Sequence, residues 1–333
     1  MSPTVALDGM GGDRAPAEPV RGALEAAEAG VHVILTGDSQ ALRRELDAQG
    51  HGGGKLIEIV EAPDVIKSDE EGARAVRAKP ASSLVVACRL LAEGRARAVV
   101  SAGNTGAMMA AATLHLRRIP GVIRPGIAVV VPSARGPVTL IDVGANADTR
   151  PEYLPQFALM GRIMAADVLG IPEPRVGLLS IGEEAGKGSE LVQAAFAAMD
   201  GTPGFVGNVE GRDIPKGLVD VVVTDGFTGN VALKLYEGAG EMLFSEIRGT
   251  FERSLRGRAA GLLARPLLRE LRHRFNEETT GGAFLLGVRG LVVIAHGNSN
   301  GRGIANAIRL AARGVGEGML EAVEAGLAVP VDA

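Results

Sequence analysis

The stretch Val221-Val222-Val223-Thr224-Asp225-Gly226-Phe227-Thr228-Gly229-Asn230-Val231 decides the fold class. Its three valines predict a buried strand, because β-branched residues pack well inside a sheet. An acid, two glycines and an amide then end the strand, and the residues from Asn230 onward have the pattern of a helix. A strand that leads through a glycine-rich turn into a helix is typical of α/β proteins. Backbone N–H groups in such a turn can approach an anion closely.

The same strand–turn–helix unit recurs along the chain. The strand-end residues are Asp8, Ser101, Asp142, Ser180, Asp225 and His296. Alternating strands and helices predict a three-layer α/β/α Rossmann-like sandwich with a mostly parallel sheet. Because ligands of such sheets bind beyond the carboxyl ends of the strands, we expect the six turns to meet in one cleft. No shift in composition divides the chain, so we expect a single domain over residues 1–333.

Composition excludes several classes of function. A net charge of -4 and 3% aromatic residues argue against nucleic-acid binding. The single cysteine, Cys88, excludes a disulfide framework and a multi-cysteine zinc site, and it fits a reducing cytoplasm. It lies in an apolar helical run, so we interpret it as a core residue. The sequence has neither a signal-peptide pattern nor a membrane-spanning apolar run, which predicts a cytoplasmic protein.

Residues 248–275 depart from the α/β pattern. They contain eight arginines and one histidine against two glutamates. On the predicted helix, Leu267, Leu268 and Leu271 share one face and the arginines lie largely off it. This pattern predicts a basic amphipathic protrusion that contacts an anionic membrane surface. The alternative is a solvated helix that packs its leucines on the core or on a dimer partner.

Common catalytic motifs are absent from the sequence. There is no Gly-x-Ser-x-Gly elbow, and the histidines have no evident triad partner. The dinucleotide fingerprint fails because Arg14 stands where the third glycine belongs. We therefore expect neither a cofactor nor a metal. Several helix N-termini at one cleft remain, and together they predict a site for a small anion.

Seven motifs, taken in order, resemble the bacterial phosphate acyltransferase family (PlsX). They are Asp8 to Asp13, Arg77 to Ser83, Ser101 to Ala107, Asp142 to Asn146, Lys187 to Leu191, Gly207 to Gly211 and Thr224 to Val231. The resemblance covers essentially the whole chain. It implies transfer of a fatty acyl group from acyl-acyl-carrier-protein to inorganic phosphate, which gives acyl-phosphate for phospholipid synthesis. It also implies a homodimer bound peripherally to the inner face of the cell membrane, which hands acyl-phosphate to a membrane-bound glycerol-3-phosphate acyltransferase.

The chain departs from the family pattern at two residues and in one segment, since Glu277-Glu278-Thr279-Thr280 lacks the tyrosine that the family often has there. Phe284 and Arg289 stand where the family usually has a proline and an asparagine. We expect these changes to alter the local shape beside the basic helix, while the strand-end turns stay intact.

The implied reaction needs no enzyme nucleophile, because phosphate itself attacks the thioester. The protein must position both reactants and stabilise the negative charge that develops. We expect Lys187 to be the cation near the reacting centre, since it begins a helix after a strand and matches a family lysine. Asn230 and His296 are the expected hydrogen-bond donors.

The expected substrate-binding and phosphate-binding residues come from the strand-end turns. They are Asp8, Gly11, Gly12, Ser101, Gly103, Asn104, Thr105, Asp142, Asn146, Asp225, Gly226 and Gly229. Among them, we expect Asp8 and Asp225 to orient their turns, because an unpaired carboxylate repels phosphate. The amides of Gly226 and Gly229, together with Asn230, are expected nearest the anion.

Three alternative functions stay open at this point. A phosphate acetyltransferase that uses coenzyme A has the same type of reaction and a similar fold. A dehydrogenase similar to isopropylmalate dehydrogenase would use Asp8, Asp142 and Asp225 to hold a divalent metal. A non-enzymatic membrane scaffold rests only on the basic segment.

Overall fold

The computed structural model describes residues 3–50, 56–275 and 281–328. The strands are β1 Thr4–Asp8, β2 His32–Gly37, β3 Ile57–Glu61, β4 Ala98–Ser101, β5 Gly126–Pro132, β6 Pro137–Ile141, β7 Val176–Ser180, β8 Phe205–Glu210, β9 Val221–Val223, β10 Ala283–Leu286 and β11 Leu291–Ile294. The helices are α1 Ala17–Glu28, α2 Ser39–Ala48, α3 Gly72–Ala78, α4 Ser83–Ala92, α5 Thr105–His115, α6 Leu154–Asp167, α7 Glu190–Ala198, α8 Gly226–Glu252, α9 Leu255–Phe275, α10 Gly301–Gly316 and α11 Met319–Ala328. Short 3-10 helices cover Pro151–Tyr153 and Gly211–Asp213.

These strands form one sheet in the order β3-β2-β1-β4-β11-β10-β5-β6-β9-β7-β8. Most neighbouring strands are parallel; the pairs β11–β10, β10–β5 and β5–β6 are antiparallel. Alternate residues of β1 pack into different apolar clusters: Val5 and Leu7 join one, and Ala6 joins the other. Each face of the sheet therefore has its own core beneath a layer of helices. The predicted α/β sandwich with a mostly parallel sheet is confirmed.

The sheet contains two groups of strands that run in opposite directions. β1, β2, β3, β4 and β11 are parallel to one another. β6, β7, β8 and β9 are also parallel to one another. The three antiparallel pairings between the groups reverse the direction. The carboxyl ends of the two groups therefore lie at opposite edges of the sheet, which we call the first edge and the second edge.

This reversal divides the predicted site. Asp8, Ser101 and His296 follow strands that end at the first edge, whereas Asp142 and Asp225 follow strands that end at the second edge. The expectation that all six turns meet in one cleft of a single chain is therefore wrong. The β5–β6 hairpin reverses the strand direction along the chain, because a short turn between consecutive strands makes them antiparallel.

Helices α8 and α9 pack against each other and expose much of their surface. Leu262, Leu263 and Leu267 on α9 are 70%, 82% and 71% exposed, and Leu271 is 38% exposed. Leu268 is half-buried. The side chains of Glu270 and of residues 272–275 lie outside the described set. Within the described ranges, the helices are too short or too polar to cross a bilayer.

Phe284 and Arg289 have different environments, and the departure at residues 277–280 lies outside the described ranges. The Phe284 side chain is fully buried and belongs to the cluster on one face of the sheet, while Leu285 belongs to the other. Phe284 thus fills the core, and a change in the local shape beside the basic helix stays a prediction. Arg289 is exposed, and its N–H donates a 3.0 Å hydrogen bond to the carbonyl of Arg117.

Candidate functional site

At the first edge, a buried carboxylate joins two turns. Asp8 Oδ2 accepts a 2.7 Å hydrogen bond from the hydroxyl of Ser101, and Asp8 Oδ1 accepts one of 3.3 Å from the N–H of Met10. Ser101 Oγ in turn accepts a 3.0 Å hydrogen bond from the N–H of Gly103. Burial raises the pKa of Asp8, although these hydrogen bonds oppose the rise. Asp8 therefore holds the ends of β1 and β4 together.

Two glycines allow the turn after β1 to pack tightly. A Cβ on Gly11 would lie 2.4 Å from Asp8 Oδ2, which is too close for any side chain. Gly12 has a φ of +102°, a backbone conformation that L-residues rarely adopt. The next residue, Asp13, donates its N–H to the carbonyl of Gly297 over 2.8 Å. The turns after β1 and β11 are therefore in contact.

Asn104 anchors the loop that precedes α3. Its Oδ1 caps α5 by accepting a 2.9 Å hydrogen bond from the N–H of Ala107. Its Nδ2 donates to the carbonyls of Lys67, Ser68 and Glu70. The amide group thus has protein partners on both atoms, while the neighbouring Thr105 is exposed. Of this pair, Thr105 is the residue that faces solvent.

His296 is exposed at the first edge. Its Nδ1 lies 3.3 Å from the N–H of Asn298 and accepts a hydrogen bond from it. In the neutral imidazole the proton is then on Nε2, which makes Nε2 a donor.

At the second edge, Asp142 is fully buried and accepts hydrogen bonds on both oxygens. Asp142 Oδ1 accepts from the N–H groups of Ile127, Gly144 and Ala145 at 2.9, 3.1 and 2.9 Å. Asp142 Oδ2 accepts from the backbone and side-chain nitrogens of Asn146 at 2.8 and 2.9 Å. These hydrogen bonds satisfy both oxygens of the buried carboxylate. Asp142 therefore fixes the shape of the turn.

The helix α8 begins with an Asp225 cap. Asp225 Oδ1 accepts a 2.8 Å hydrogen bond from the N–H of Thr228, and its carbonyl accepts one of 2.9 Å from Gly229. The N–H of Gly226 donates to the carbonyl of Asn146 over 2.9 Å. The amides of Gly226 and Gly229 therefore have acceptors within the protein. The expectation that these two amides lie nearest an anion does not fit these contacts.

Close packing explains why glycine occupies position 229. A Cβ there would lie 2.0 Å from the carbonyl oxygen of Asp142. One residue further, Asn230 Nδ2 donates a 3.0 Å hydrogen bond to the carbonyl of Val143. The stretch from Asp225 to Asn230 is thus a junction that holds α8 against the turn after β6.

Lys187 lies in the turn after β7, also at the second edge. It is exposed and precedes Ser189, whose hydroxyl caps α7. Lys187 does not begin that helix, contrary to the sequence-based expectation, because Ser189 is the capping residue and α7 begins at Glu190. Among the described residues, no ion pair involves Lys187. Within one chain, Lys187 and Asn230 share an edge, and His296 lies at the opposite one.

A cavity of ≈ 510 Å³ opens at the second edge. It lies where β5 begins, where the turn after β6 passes, and beside the second half of α5. Its lining residues are Met109, Thr113, Arg118, Ile123, Arg124, Pro125, Ala145, Asn146, Arg150, Tyr153 and Leu285. The lining combines apolar side chains with guanidinium groups, as a site for a molecule with an apolar and an anionic part requires.

Among the lining residues, Asn146 was predicted from the sequence, whereas the three arginines of the cavity were not. Arg118 donates from Nη1 to the carbonyls of Val122 and Ile123, which fixes its position. Arg150 forms a long 3.9 Å ion pair with Glu152, and both side chains are well exposed. A signal was present in the sequence, because Arg124 and Arg150 each precede a proline at the start of an element.

Thiol and metal chemistry find no support in the described geometry. Burial raises the pKa of Cys88 to about 12, so its thiol is protonated and inaccessible. The described ranges hold no cluster of three or more His, Cys, Asp or Glu side chains suited to a metal. Asp8 is also at the opposite edge from Asp142 and Asp225, so these three residues do not form one metal site.

The fold is that of phosphotransacetylases and related dehydrogenases. A phosphotransacetylase from Streptococcus pyogenes superposes with a TM-score of 0.65 and 16% identity, covering 95% of this chain and 94% of that one. A 4-hydroxythreonine-4-phosphate dehydrogenase from Klebsiella pneumoniae has a TM-score of 0.52 and 18% identity, covering 93% and 98%. At these identities the likeness concerns the fold alone.

Sequence relatives define the family. The model of the family described as "Fatty acid synthesis protein" matches residues 3–322. A phosphate acyltransferase of Moorella thermoacetica is 50% identical over 321 residues, 96% of this chain and 94% of the relative. A phosphate acyltransferase of Desulforamulus reducens is 48% identical over 329 residues, 97% of each chain. The chain therefore belongs to this family of fatty acid synthesis proteins.

Proposed function

We propose that the chain transfers a fatty acyl group from acyl-acyl-carrier-protein to inorganic phosphate at the arginine-lined cavity. An oxygen of hydrogen phosphate bonds to the thioester carbonyl carbon, the carbon–sulfur bond breaks, and the carrier sulfur takes the proton that phosphate loses and leaves as a thiol. The observation that carries this proposal is one cavity in which Arg118, Arg124 and Arg150 lie beside apolar side chains. The name of the relatives agrees with this chemistry.

The lining suits both reactants. Guanidinium groups bind phosphate oxygens through paired N–H donors and offset the charge that develops during the attack. Met109, Ile123 and Leu285 provide an apolar wall for the acyl chain. The chain's own residues thus bind and orient, and phosphate supplies the nucleophile.

The test is an assay of acyl-phosphate formation with and without phosphate, using carrier proteins loaded with acyl chains of increasing length. We expect turnover that requires phosphate and prefers a long-chain carrier donor. Preference for acetyl-coenzyme A would favour a phosphate acetyltransferase. Nicotinamide reduction with a 2-hydroxy acid, abolished by a chelator, would favour the dehydrogenase alternative. Absence of turnover with every thioester would favour the membrane scaffold.

Lys187 remains our candidate for a cation near the reacting centre. It is exposed at the same edge as the cavity, which supports a contact with an anionic substrate. We expect Lys187→Ala to lower kcat/KM about tenfold, because an exposed cation is partly screened by water. The control is Lys67→Ala. Lys67 is also exposed, but it does not lie in a turn after a strand that ends at the second edge. A correctly folded Lys187→Ala variant with full turnover would remove this role.

The basic amphipathic protrusion at residues 248–275 supports the proposal of peripheral association with an anionic membrane. Leu262, Leu263 and Leu267 are exposed on α9 beside its arginines. We expect the double variant Leu267→Glu and Leu271→Glu to lose sedimentation with anionic liposomes. Leu114→Glu, at a position 56% exposed on α5, is the matched control. Equal sedimentation of both variants and the parent protein would contradict the assignment.

We further infer a homodimer and a membrane-bound acceptor enzyme for acyl-phosphate. Phe227, Val231 and Leu235 are 66%, 52% and 72% exposed and recur every four residues on α8, so they form one apolar stripe. Sedimentation equilibrium measures the mass of the assembly, and a monomer at micromolar concentration would contradict the dimer. Release of acyl-phosphate to a glycerol-3-phosphate acyltransferase is testable by coupling the two reactions on vesicles.

A further inference from the structure

Five exposed arginines lie around the cavity at the second edge. Arg118, Arg124 and Arg150 line it. Arg117 lines an adjacent, open cavity of ≈ 470 Å³ that shares Arg118 with the first. Arg289 lies beside Arg117, because its N–H donates to the Arg117 carbonyl. We call these five residues the arginine rim.

The arginine rim is a positive region on a protein of net charge -4. Residues 113–124 contain three arginines and no acidic residue. Within the described ranges, Arg117, Arg124 and Arg289 have no ion-pair partner. The pKa of nearby His115 is lowered, first by burial and then by the charge of Arg89. The rim's charge is therefore available to a partner.

We propose that the arginine rim docks an acidic surface of the carrier protein that delivers the thioester. This inference rests on the proposed function and adds the docking face to it. Arg117 and Arg289 lie outside the lining of the main cavity, so they are placed to meet a body larger than free phosphate. A carrier bound at this rim has its thioester arm next to the cavity opening. Charge complementarity of this kind mainly sets the rate of encounter and the salt dependence.

Arg289 offers a separate test of the proposal. It is exposed, and its backbone contacts that of Arg117. The charge of Arg289 adds to the arginine rim, and Arg289 does not line the main cavity. Arg289 is therefore expected to raise the affinity for the carrier and to leave the chemistry unchanged.

The experiment compares the double variant Arg117→Glu and Arg289→Glu with Arg43→Glu and Arg44→Glu, two exposed arginines of α2. Donors are a long-chain acyl-carrier-protein and the same acyl group on pantetheine. For the rim variant we expect the KM for the carrier donor to rise about fivefold or more, because opposed rim charges reduce encounter. The KM for acyl-pantetheine and kcat should stay unchanged. The milder Arg289→Asn should raise the carrier KM about twofold.

Each other outcome is decisive. An unchanged carrier KM in the rim variant overturns the proposal. A higher KM for phosphate alone would show that the rim binds the acceptor, and loss of liposome sedimentation alone would show that it contacts lipid; both overturn it. If the parent protein turns over neither donor, the proposed function fails. Calorimetry with the acyl-free carrier then still tests the rim, since docking requires weaker binding by the variant.

Discussion

Gly229→Ala is expected to destabilise the fold by about 3 kcal/mol or more, since overpacking against a backbone atom offers little room for relaxation. The new Cβ would lie 2.0 Å from the carbonyl oxygen of Asp142, and 2.8 Å from the Thr224 side chain. Either α8 or the turn after β6 must shift. A shift of that turn would weaken hydrogen bonds to the buried Asp142 carboxylate, which has no access to water.

Gly238→Ala is the matched control on the same helix. Nothing lies within 4 Å of a Cβ at Gly238, so the substitution meets no obstacle. We expect a gain of about 0.5–1 kcal/mol, because alanine is a better helix former than glycine. Urea unfolding followed by circular dichroism measures both variants. Equal stabilities of Gly229→Ala and Gly238→Ala would show that the junction between α8 and the turn tolerates a side chain.

The elements on either side of this junction were predictable from the sequence, whereas the direction of the strands was not predicted. The valine run and the glycine turn at residues 221–231 predict a buried strand and a helix from Asn230, and both elements are present, but the helix already begins at Gly226 because Asp225 caps it. Strand direction was missed although its signal was in the sequence. The short turn at residues 133–136 joins two strands, and a turn of that length makes a hairpin. The strands β6, β7, β8 and β9 that follow this turn therefore end at the second edge, and β11, which is parallel to β4, ends at the first edge again.

The candidate site was less predictable than the fold, for a related reason. The glycines predicted N–H groups that are free to bind an anion. In the structure, Gly226 and Gly229 instead allow close packing against the turn that contains Asp142, and their N–H groups have acceptors in the protein. That turn is distant in sequence, so the packing could not be predicted locally. Arg118 and Arg124 lie in one segment and Arg150 in another, and the Arg-Pro pairs at Arg124 and Arg150 are only a weak local signal for a shared site. Asn146 was predicted from its motif and does line the cavity.

Arg150→Ala is expected to lower kcat/KM for acyl-phosphate formation about 100-fold, because a guanidinium that holds the attacking phosphate through paired N–H donors also offsets the charge that develops during the attack. Arg150 lines the cavity beside Asn146. Its only described ion pair, with Glu152, spans 3.9 Å between exposed side chains, so a phosphate can replace that partner at little cost. Part of the loss should be a higher KM for phosphate.

Conservative and control variants separate binding from folding. Arg150→Lys keeps the charge without the two-pronged donor geometry, so we expect it to recover only part of the activity. Glu152→Gln removes the competing carboxylate and should leave kcat/KM equal or slightly higher. Arg175→Ala removes an exposed arginine that pairs with Asp220 outside the cavity, and it should leave turnover unchanged. If Arg150→Ala retains both kcat and the KM for phosphate while circular dichroism shows a native fold, phosphate does not bind at this arginine. The reaction would then have to be sought at the first edge, around Thr105 and His296.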